Sequence, residues 1–580
     1  MPDSSVWKVF SKKADFVDIG RTFGIDMVTS RIIRNRDIVG DNDIKRFLRA
    51  DMEDMYDPFL MKGMKESVSI LRDKIKAGKK IRIIGDYDID GVCSTTILMN
   101  ILTDIGANVS YDVPDRMKDG YGINIRLINL AIEDGVDTII TCDNGIAAYT
   151  QVKYAKEKGM TIIITDHHEI PYKEENGQKH FIIPPADVVI NPHQEDCPYP
   201  FKELCGAGVT YKLGIALGVS KEIKDLILKF ASIATIGDVV DLKDENRIIV
   251  KNGLKLINNS EINGHIGNSL SFNKGLSELI KAAGIGGKKL ASYHIGFVIG
   301  PCINAGGRLS SAKTGIKLFL SEDMEEVKEI ALDLTSLNEE RKEMTIRKTK
   351  EAIEMVETSM MNDKVLLVYL PDCHEAIAGI VAGRLKEHFY RPSFVVTKGA
   401  EGAKGSGRSI EGYEMYEEIN KCADLLSKFG GHAMAAGFSL PTENIDDFRR
   451  RLNEKESLSE EDLTKTVWID VPMPGSYVTE KLIYELGELE PFGKGNPKPV
   501  FADRSLRITS KKLLGKNKNL YKLTLMGPDG KSLTAIKFKS EGEEDMPEVG
   551  SLINILYYPE LNEYNGLKTI QLNISEYREI

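Results

Sequence analysis

The stretch Ile81-Arg82-Ile83-Ile84-Gly85-Asp86-Tyr87-Asp88-Ile89-Asp90-Gly91 decides the reading of this chain. It opens with an apolar, β-branched run, the mark of a buried strand. Carboxylates follow at alternate positions, Asp86, Asp88 and Asp90. If the chain is still extended there, side chains two apart share one face. Three carboxylates crowded at the tip of a buried strand repel one another and are tolerable around a cation. Taken alone, the stretch also reads as an acidic loop in water. Gly91 permits a tight turn, and a helix over Ser94–Ile105 is predicted to leave it.

Outward from this point the pattern alternates. Strands are predicted at Ile81–Ile84, Val109–Val113, Thr138–Thr141, Thr161–Thr165 and Val188–Ile190, with helices at Ser94–Ile105, Asn124–Asp134 and Ala147–Lys158 between them. Short β-branched runs alternating with helices imply a parallel sheet covered on both faces, with ligands beyond the carboxyl ends of its strands. Acidic residues fall there. Thr138-Ile139-Ile140-Thr141-Cys142 runs into Asp143-Asn144-Gly145, and Thr161-Ile162-Ile163-Ile164-Thr165 runs into Asp166-His167-His168. Cys142 points to the opposite face from Asp143 and reads as core. A helical segment, Lys221–Ile236, ends at Gly237-Asp238, and Asp241 is a less favoured acid nearby. Repeated strand ends of this design point to a metal or catalytic site. The donors are oxygen-rich with imidazole and no thiolate, which suits Mn2+ or Mg2+ over Zn2+. Five carboxylates exceed the needs of one ion; two ions bridged by a carboxylate would suit hydrolysis of a phosphate ester.

The chain has 580 residues, 42% of them hydrophobic and 28% charged, the composition of a multidomain globular protein. Its formal net charge of −10 counts mildly against a general nucleic-acid binder, although a local basic groove can sit on an acidic protein. No apolar window has the ~18 residues that span a membrane. The N-terminus lacks the pattern of a secretory signal. Seven scattered cysteines without a C-x-x-C pair argue for a reducing compartment, and the expected location is the cytoplasm.

The expected domains are a helical lead-in (1–65), a parallel-sheet domain (66–320), a connector helix (321–357), a smaller α/β domain (358–460) and a C-terminal barrel (461–580). The connector has helical apolar spacing and no Pro or Gly. The smaller domain is predicted to hold a strand at Val365–Tyr369, helix Ala376–His388, strands Ser393–Thr397 and Ala403–Ser409, and helix Tyr413–Lys428. Many short strands with turn signals after Thr466 read as an OB-fold-like barrel. Lys511, Lys512, Lys516 and Lys518 are expected in a loop beside Tyr521, either as a single-strand-binding feature or as a solvated lysine loop.

Asp86-Tyr87-Asp88-Ile89-Asp90-Gly91, Asp143-Asn144-Gly145, Asp166-His167-His168 and Gly237-Asp238 resemble the four motifs of the DHH phosphoesterase superfamily. Gly405-Ser406-Gly407-Arg408-Ser409 and Gly430-Gly431-His432-Ala433-Met434-Ala435-Ala436-Gly437 resemble the DHHA1 domain that accompanies it. Three further stretches, Gly300–Leu309, His374–Leu385 and Leu489–Pro497, are similar to the bacterial RecJ exonucleases, and the resemblance spans nearly the whole chain. Cys373 and Gly306 depart from residues usual in that family, at positions that bear on packing. No long extension follows the barrel, so a partner docking on such an extension is not expected.

The resemblance implies 5′-to-3′ hydrolysis of single-stranded DNA with two Mn2+ or Mg2+ ions, in DNA repair and recombination. It implies that Asp90, Asp143, His167 and Asp238 hold one ion, and Asp86, Asp88 and Asp143 the other. His168 would contact the scissile phosphate, and Asp166 would orient the neighbouring imidazole. Arg116, Asn304, Arg308, Ser406, Arg408 and His432 would line the DNA path, with Arg116, Ser406 and Arg408 near a 5′-phosphate. Gly405 and Gly407 are read as letting backbone approach a phosphate, while Arg116 has the alternative of pairing with Asp119 and His432 that of a packed core residue. Single-stranded-DNA-binding protein and a RecQ-type helicase are the implied protein partners. Two other readings stand beside this one. A phosphodiesterase for short oligonucleotides or cyclic dinucleotides usually begins its first motif with His and lacks the barrel. An inactive DNA-binding relative would have lost ligand residues, all of which are present here.

Overall fold

The computed structural model describes residues 5–115, 119–175, 177–262, 273–399, 402–515, 518–539, 545–564 and 566–580. The chain divides into two compact units. One comprises Lys8–Gly307, Ser311–Ala331 and Trp468–Ile580; the other comprises Met1–Trp7, Arg308–Ser310 and Leu332–Val467.

In the larger unit, five parallel strands lie in the order Asn108–Asp112, Lys80–Ile84, Thr138–Cys142, Thr161–Thr165, Val188–Ile190. The earliest of these five strands along the chain, Lys80–Ile84, sits second in the sheet. Connections therefore leave it in opposite directions, and a crevice opens beyond the tips of Lys80–Ile84 and Thr138–Cys142. Ile81, Ile83, Ile139, Ile140, Ile162 and Ile163 are all fully buried, as near-continuous β-branched runs require in a sheet covered on both sides.

The turn after Ile84 departs from the extended geometry expected for Asp86, Asp88 and Asp90. The helix begins earlier, spanning Ile89–Asp104, and Asp88 is its N-cap: one carboxylate oxygen accepts the Asp90 and Gly91 N–H groups at 2.9 and 3.1 Å. Capping by a short carboxylate is worth more there than one further extended residue. Gly91 is required by close packing, since a Cβ would sit 2.5 Å from the Asp86 carbonyl.

The C-terminal sheet runs Val471–Pro472, Phe501–Leu514, Leu520–Met526, Ser532–Phe538, Leu567–Glu579, Leu552–Tyr564, and the last strand pairs back on Phe501–Leu514 to close a ring. The result is the expected OB-like barrel. Its apolar interior, with Phe501, Leu523 and Tyr557, is continuous with Val28, Ile32, Ile33, Ile44 and Phe47 of the lead-in helices. Lys511 and Lys512 lie within the long strand Phe501–Leu514, not in a loop, and Lys511 is engaged by the Met546 carbonyl and Glu548. Lys516 falls outside the described residues.

In the smaller unit a mixed sheet runs Lys428–His432, Ala435–Leu440, Ala403–Arg408, Ser393–Lys398, Leu366–Tyr369. The helix predicted over Tyr413–Lys428 is instead a short helix, Met415–Asn420, a 3-10 turn, Ala423–Leu425, and the start of the strand Lys428–His432. Hairpin pairing of that strand with Ala435–Leu440 outweighs the helical periodicity. The connector is a helix over Met324–Ser359, and its residues from Leu332 onward belong to this unit.

Candidate metal centre

The acids meet where the crevice opens. Asp86 and Asp90 are almost fully buried. Asp90 is held from outside its own segment: the Gly206 and Ala207 N–H groups, at the start of the helix Gly206–Leu217, donate to its two oxygens at 2.6 and 2.8 Å. A helix N-terminus is an anion cradle, so these two donors fix this carboxylate in place.

Asp143 adopts a left-handed backbone conformation, φ 60°. That turn leaves the strand Thr138–Cys142 and throws the carboxylate back over the strand tips. Asn144 fastens the same turn with hydrogen bonds: its side-chain amide donates to the Ile84 and Cys142 carbonyls at 3.1 and 2.9 Å, and its oxygen accepts the Ile123 N–H. Asp166 lies beneath the two imidazoles. One oxygen accepts the His167 and His168 backbone N–H groups and the His168 Nδ1–H, the last at 2.7 Å; the other accepts the Ile146 N–H. Asp238 caps the C-terminal end of the helix Lys221–Gly237.

His167 Nε2 stands 3.1 Å from Asp143, 3.6 Å from Asp90 and 3.9 Å from Asp238. Three overlapping donor sets have ligand atoms within 4.8 Å of one another: Asp90, His167 and Asp238; Asp86, Asp88 and Asp143; and Asp143, His167 and His168. Asp241 stands outside them, paired with Lys243 and Lys494.

The electrostatics ask for a cation. Burial, then the neighbouring acids, push the Asp86 and Asp143 carboxyls well above the usual range, and Asp238 up to about 8. Burial alone would also raise Asp166, but the His168 hydrogen bond and the imidazole charges hold it low. Burial depresses His167; at His168 burial is outweighed by the Asp166 hydrogen bond, which lifts it to about 9. Asp86 Oδ1 is buried with no hydrogen-bond partner, an orphaned acceptor that a hard divalent ion would satisfy. The donor set fits Mn2+ or Mg2+.

Of the expected DNA-path residues, Asn304 reaches this centre and its side-chain oxygen accepts the Ile89 N–H at 2.9 Å. Arg116 falls outside the described residues; Asp119, its alternative partner, is bound by Arg126. Arg308, Ser406, Arg408 and His432 belong to the smaller unit. Arg308 donates to the Ala376 carbonyl. Ser406 and Arg408 alternate along one strand, and Arg408 is in register with Ala435, which is in register with His432, so the three share a sheet face. His432 is exposed rather than packed in the core. Arg408 is lowered by burial alone; its guanidinium donates to the Gly407 carbonyl and lies over Gly379, with no carboxylate partner among the described residues. Gly405 and Gly407 serve the opposite face. A Cβ would strike Phe438 at 2.1 Å from the former, and Met415 and Phe394 at 2.6 Å from the latter, so these glycines make room for the core and not for a phosphate.

Sequence reasoning missed Tyr121. Its hydroxyl donates to the Asp143 carbonyl at 2.7 Å and stands 3.3 Å from His168, with the ring edge-on to both His168 and Tyr87. The signal was an aromatic between Gly120 and Gly122, a weak one. Gly206 and Ala207 carried no signal, because only their backbone acts.

Three family models match the chain: the DHH family N-terminal domain over residues 80–237, the DHHA1 domain over 362–457 and the RecJ OB domain over 469–576. The single-stranded-DNA-specific exonuclease RecJ of Bacillus subtilis is 39% identical over 534 residues, 91% of this chain, which spans 65% of that relative, just under two thirds. RecJ of Haemophilus influenzae is 32% identical over 96% of this chain and 97% of its own length. Among solved structures, RecJ from Thermus thermophilus in complex with Mn2+ superposes with a TM-score of 0.81 at 25% identity, over 100% of this chain and 80% of that one. An exonuclease RecJ bound to manganese gives 0.57 at 30% identity, over 69% of this chain and 98% of its own. With its acid-and-imidazole centre at the sheet's switch point and all three modules in order, this chain belongs to the RecJ family of single-stranded-DNA-specific exonucleases.

Proposed function

We propose that this chain is a divalent-metal-dependent exonuclease that removes nucleotides from the 5′ end of single-stranded DNA, in DNA repair and recombination. One observation carries the reading: acids from separate segments gather into three overlapping donor sets, two of them containing Asp143 and two containing His167. In this reading Asp90, Asp143, His167 and Asp238 hold one ion, and Asp86, Asp88 and Asp143 the other. Bound there, Mn2+ or Mg2+ supplies positive charge for the phosphate and acidity that makes water a nucleophile at neutral pH. Asp166 engages His168 through Nδ1, which fixes the ring and leaves Nε2 for an oxygen of the scissile phosphate. The Tyr121 hydroxyl stands 3.3 Å from both nitrogens of that ring and helps to hold it. Arg116, Ser406 and Arg408 take the 5′-terminal phosphate, with Asn304, Arg308 and His432 along the strand. Support comes from the Arg408 guanidinium, half-buried and without a carboxylate among the described residues, since such a group is set for an anion.

Digestion of 5′-labelled and 3′-labelled single strands and of duplex, with Mn2+, Mg2+ or chelator, tests this. Mononucleotides released from the 5′ end of the single strand, and none with chelator, are expected. Metal-independent digestion, or hydrolysis confined to dinucleotides, would overturn it. The domain limits at 66, 321, 358 and 461 belong to the same reading. So do a cytoplasmic location and partnership with single-stranded-DNA-binding protein and a RecQ-type helicase, to be checked by co-purification. Among the described residues no helix is long and apolar enough to cross a membrane.

A further inference from the structure

The helical run from Ser292 to Leu309 presents one side to the metal-bearing segments. A Cβ on Gly296 would lie 3.5 Å from Ile236, one on Gly300 3.2 Å from Ile89, and one on Gly307 2.2 Å from the Tyr87 carbonyl, while Asn304 binds the Ile89 N–H. Ile236 is two residues from Asp238, and Ile89 lies between Asp88 and Asp90. The run begins with Ser292–His294 and a π-helical turn, Ile295–Ile299, which buries Ile295 and Ile299.

Tyr293 and Phe297, on that same opening stretch, are left out of the core. They are 65% and 68% exposed and stack on each other, with ring centroids 5.0 Å apart and planes at 26°. Val239, directly after Asp238, is also 61% exposed. Large apolar groups so placed beside a catalytic crevice mark a contact surface. Its chemistry is specific. Lys288 and Lys289 precede the aromatics, both exposed and without an ion pair among the described residues. His294 accepts the Ala291 N–H through Nδ1, so Nε2 points elsewhere. Two exposed cations a few residues ahead of a pair of stacked aromatic rings suit a sugar-phosphate backbone carrying flat bases, on a chain whose overall charge would otherwise repel it. From Phe297 to Asn304 the helical rise is about 10 Å, one to two nucleotides of extended strand.

We propose that Tyr293 and Phe297, with Lys288 and Lys289, form a stacking platform on which a base of the single strand rests beside the metal centre. This inference rests on the exonuclease reading for its ligand, and it names residues that reading does not use. A protein partner would need apolar area; a base needs planar rings, and that difference is testable.

The experiment measures equilibrium binding of the full chain, in chelator, to an oligothymidylate and to an abasic strand of equal length, with digestion in Mn2+ run in parallel. Replacing both rings (Tyr293→Leu with Phe297→Leu) is expected to weaken oligothymidylate binding by about 5- to 30-fold, with a smaller loss on the abasic strand. Tyr293→Phe with Phe297→Tyr should restore the preference for bases. Lys288→Ala with Lys289→Ala should lower the slope of log affinity on log salt by about 1.4. A leucine pair that keeps the full preference for bases would overturn the platform and assign the patch to a protein partner. Wild-type protein that binds with base preference yet digests neither end would instead overturn the exonuclease reading and leave the platform standing.

Discussion

Two buried polar clusters lie within the same unit and are built oppositely. Beneath the lead-in, Lys212, Glu245 and Tyr199 are 2%, 0% and 1% exposed. Lys212 pairs with Glu245 at 2.8 Å and donates to the Tyr56 carbonyl, while Glu245 accepts from the Tyr199 hydroxyl and the Tyr56 N–H. Its charges cancel and its lone pairs are filled. At the crevice, five carboxylates converge on imidazoles, one oxygen is orphaned, and burial with mutual repulsion drives Asp86, Asp88, Asp143 and Asp238 toward protonation. Burial is common to both; internal neutrality is not. A self-neutral cluster locks segments together, whereas one left with net charge of a single sign is finished only by a partner of the other sign.

The contrast can be broken in order of effect. Asp143→Asn removes the shared donor and, on the scale of other single transition-state groups, should cut turnover by about 1,000-fold or more while the melting temperature of the chelated protein holds or rises. Parallel turnover and melting measurements decide it; equal losses of both would make Asp143 structural. Lys212→Met should do the reverse, costing about 3–5 kcal/mol of stability by stranding Glu245, with activity per folded molecule retained. Urea unfolding reads this.

Asp166→Asn keeps the shape of the group that orients His168 but loses its charge, and should reduce metal affinity or turnover by about 10- to 100-fold. The smallest effect is on pH. Asp143, Asp86 and Asp238 bind protons more tightly folded than unfolded, Asp238 up to about 8. In that window the folded state holds more protons, so the chelated protein should lose stability as pH rises from about 4 to about 8. Mn2+ should therefore raise the melting temperature most at the alkaline end. A flat profile in chelator would mean that the acids are not repelling one another.

How much of this was legible in the chain depends on the length scale of each signal. The strands ending in Asp86, Asp143 and Asp166 could be placed from β-branched runs, since a parallel sheet buries both faces and demands continuity. The segment Tyr413–Lys428 could not. Tyr413, Met415, Ile419, Cys422 and Leu425 fit a helical period and are all buried, but Ser427 bonds to Ser439 and the chain turns into a hairpin. Gly430, Gly431 and Gly437 also mask the strands that carry them, because glycine has poor β propensity. The lysines at 511 and 512 read as loop for a similar reason.

By itself the sequence determined which donors exist and which local elements present them: acids and imidazoles at strand tips, an oxygen-rich set suited to a hard ion, and three modules in order. Tertiary structure alone decided which of them meet. The left-handed turn at Asp143, the clasp of Asp90 by the Gly206 and Ala207 backbone, and the reach of Asn304 to Ile89 join segments tens to hundreds of residues apart. Ligand spacing within a few ångströms is a property of packing between such segments, and periodicity along one segment carries no record of it.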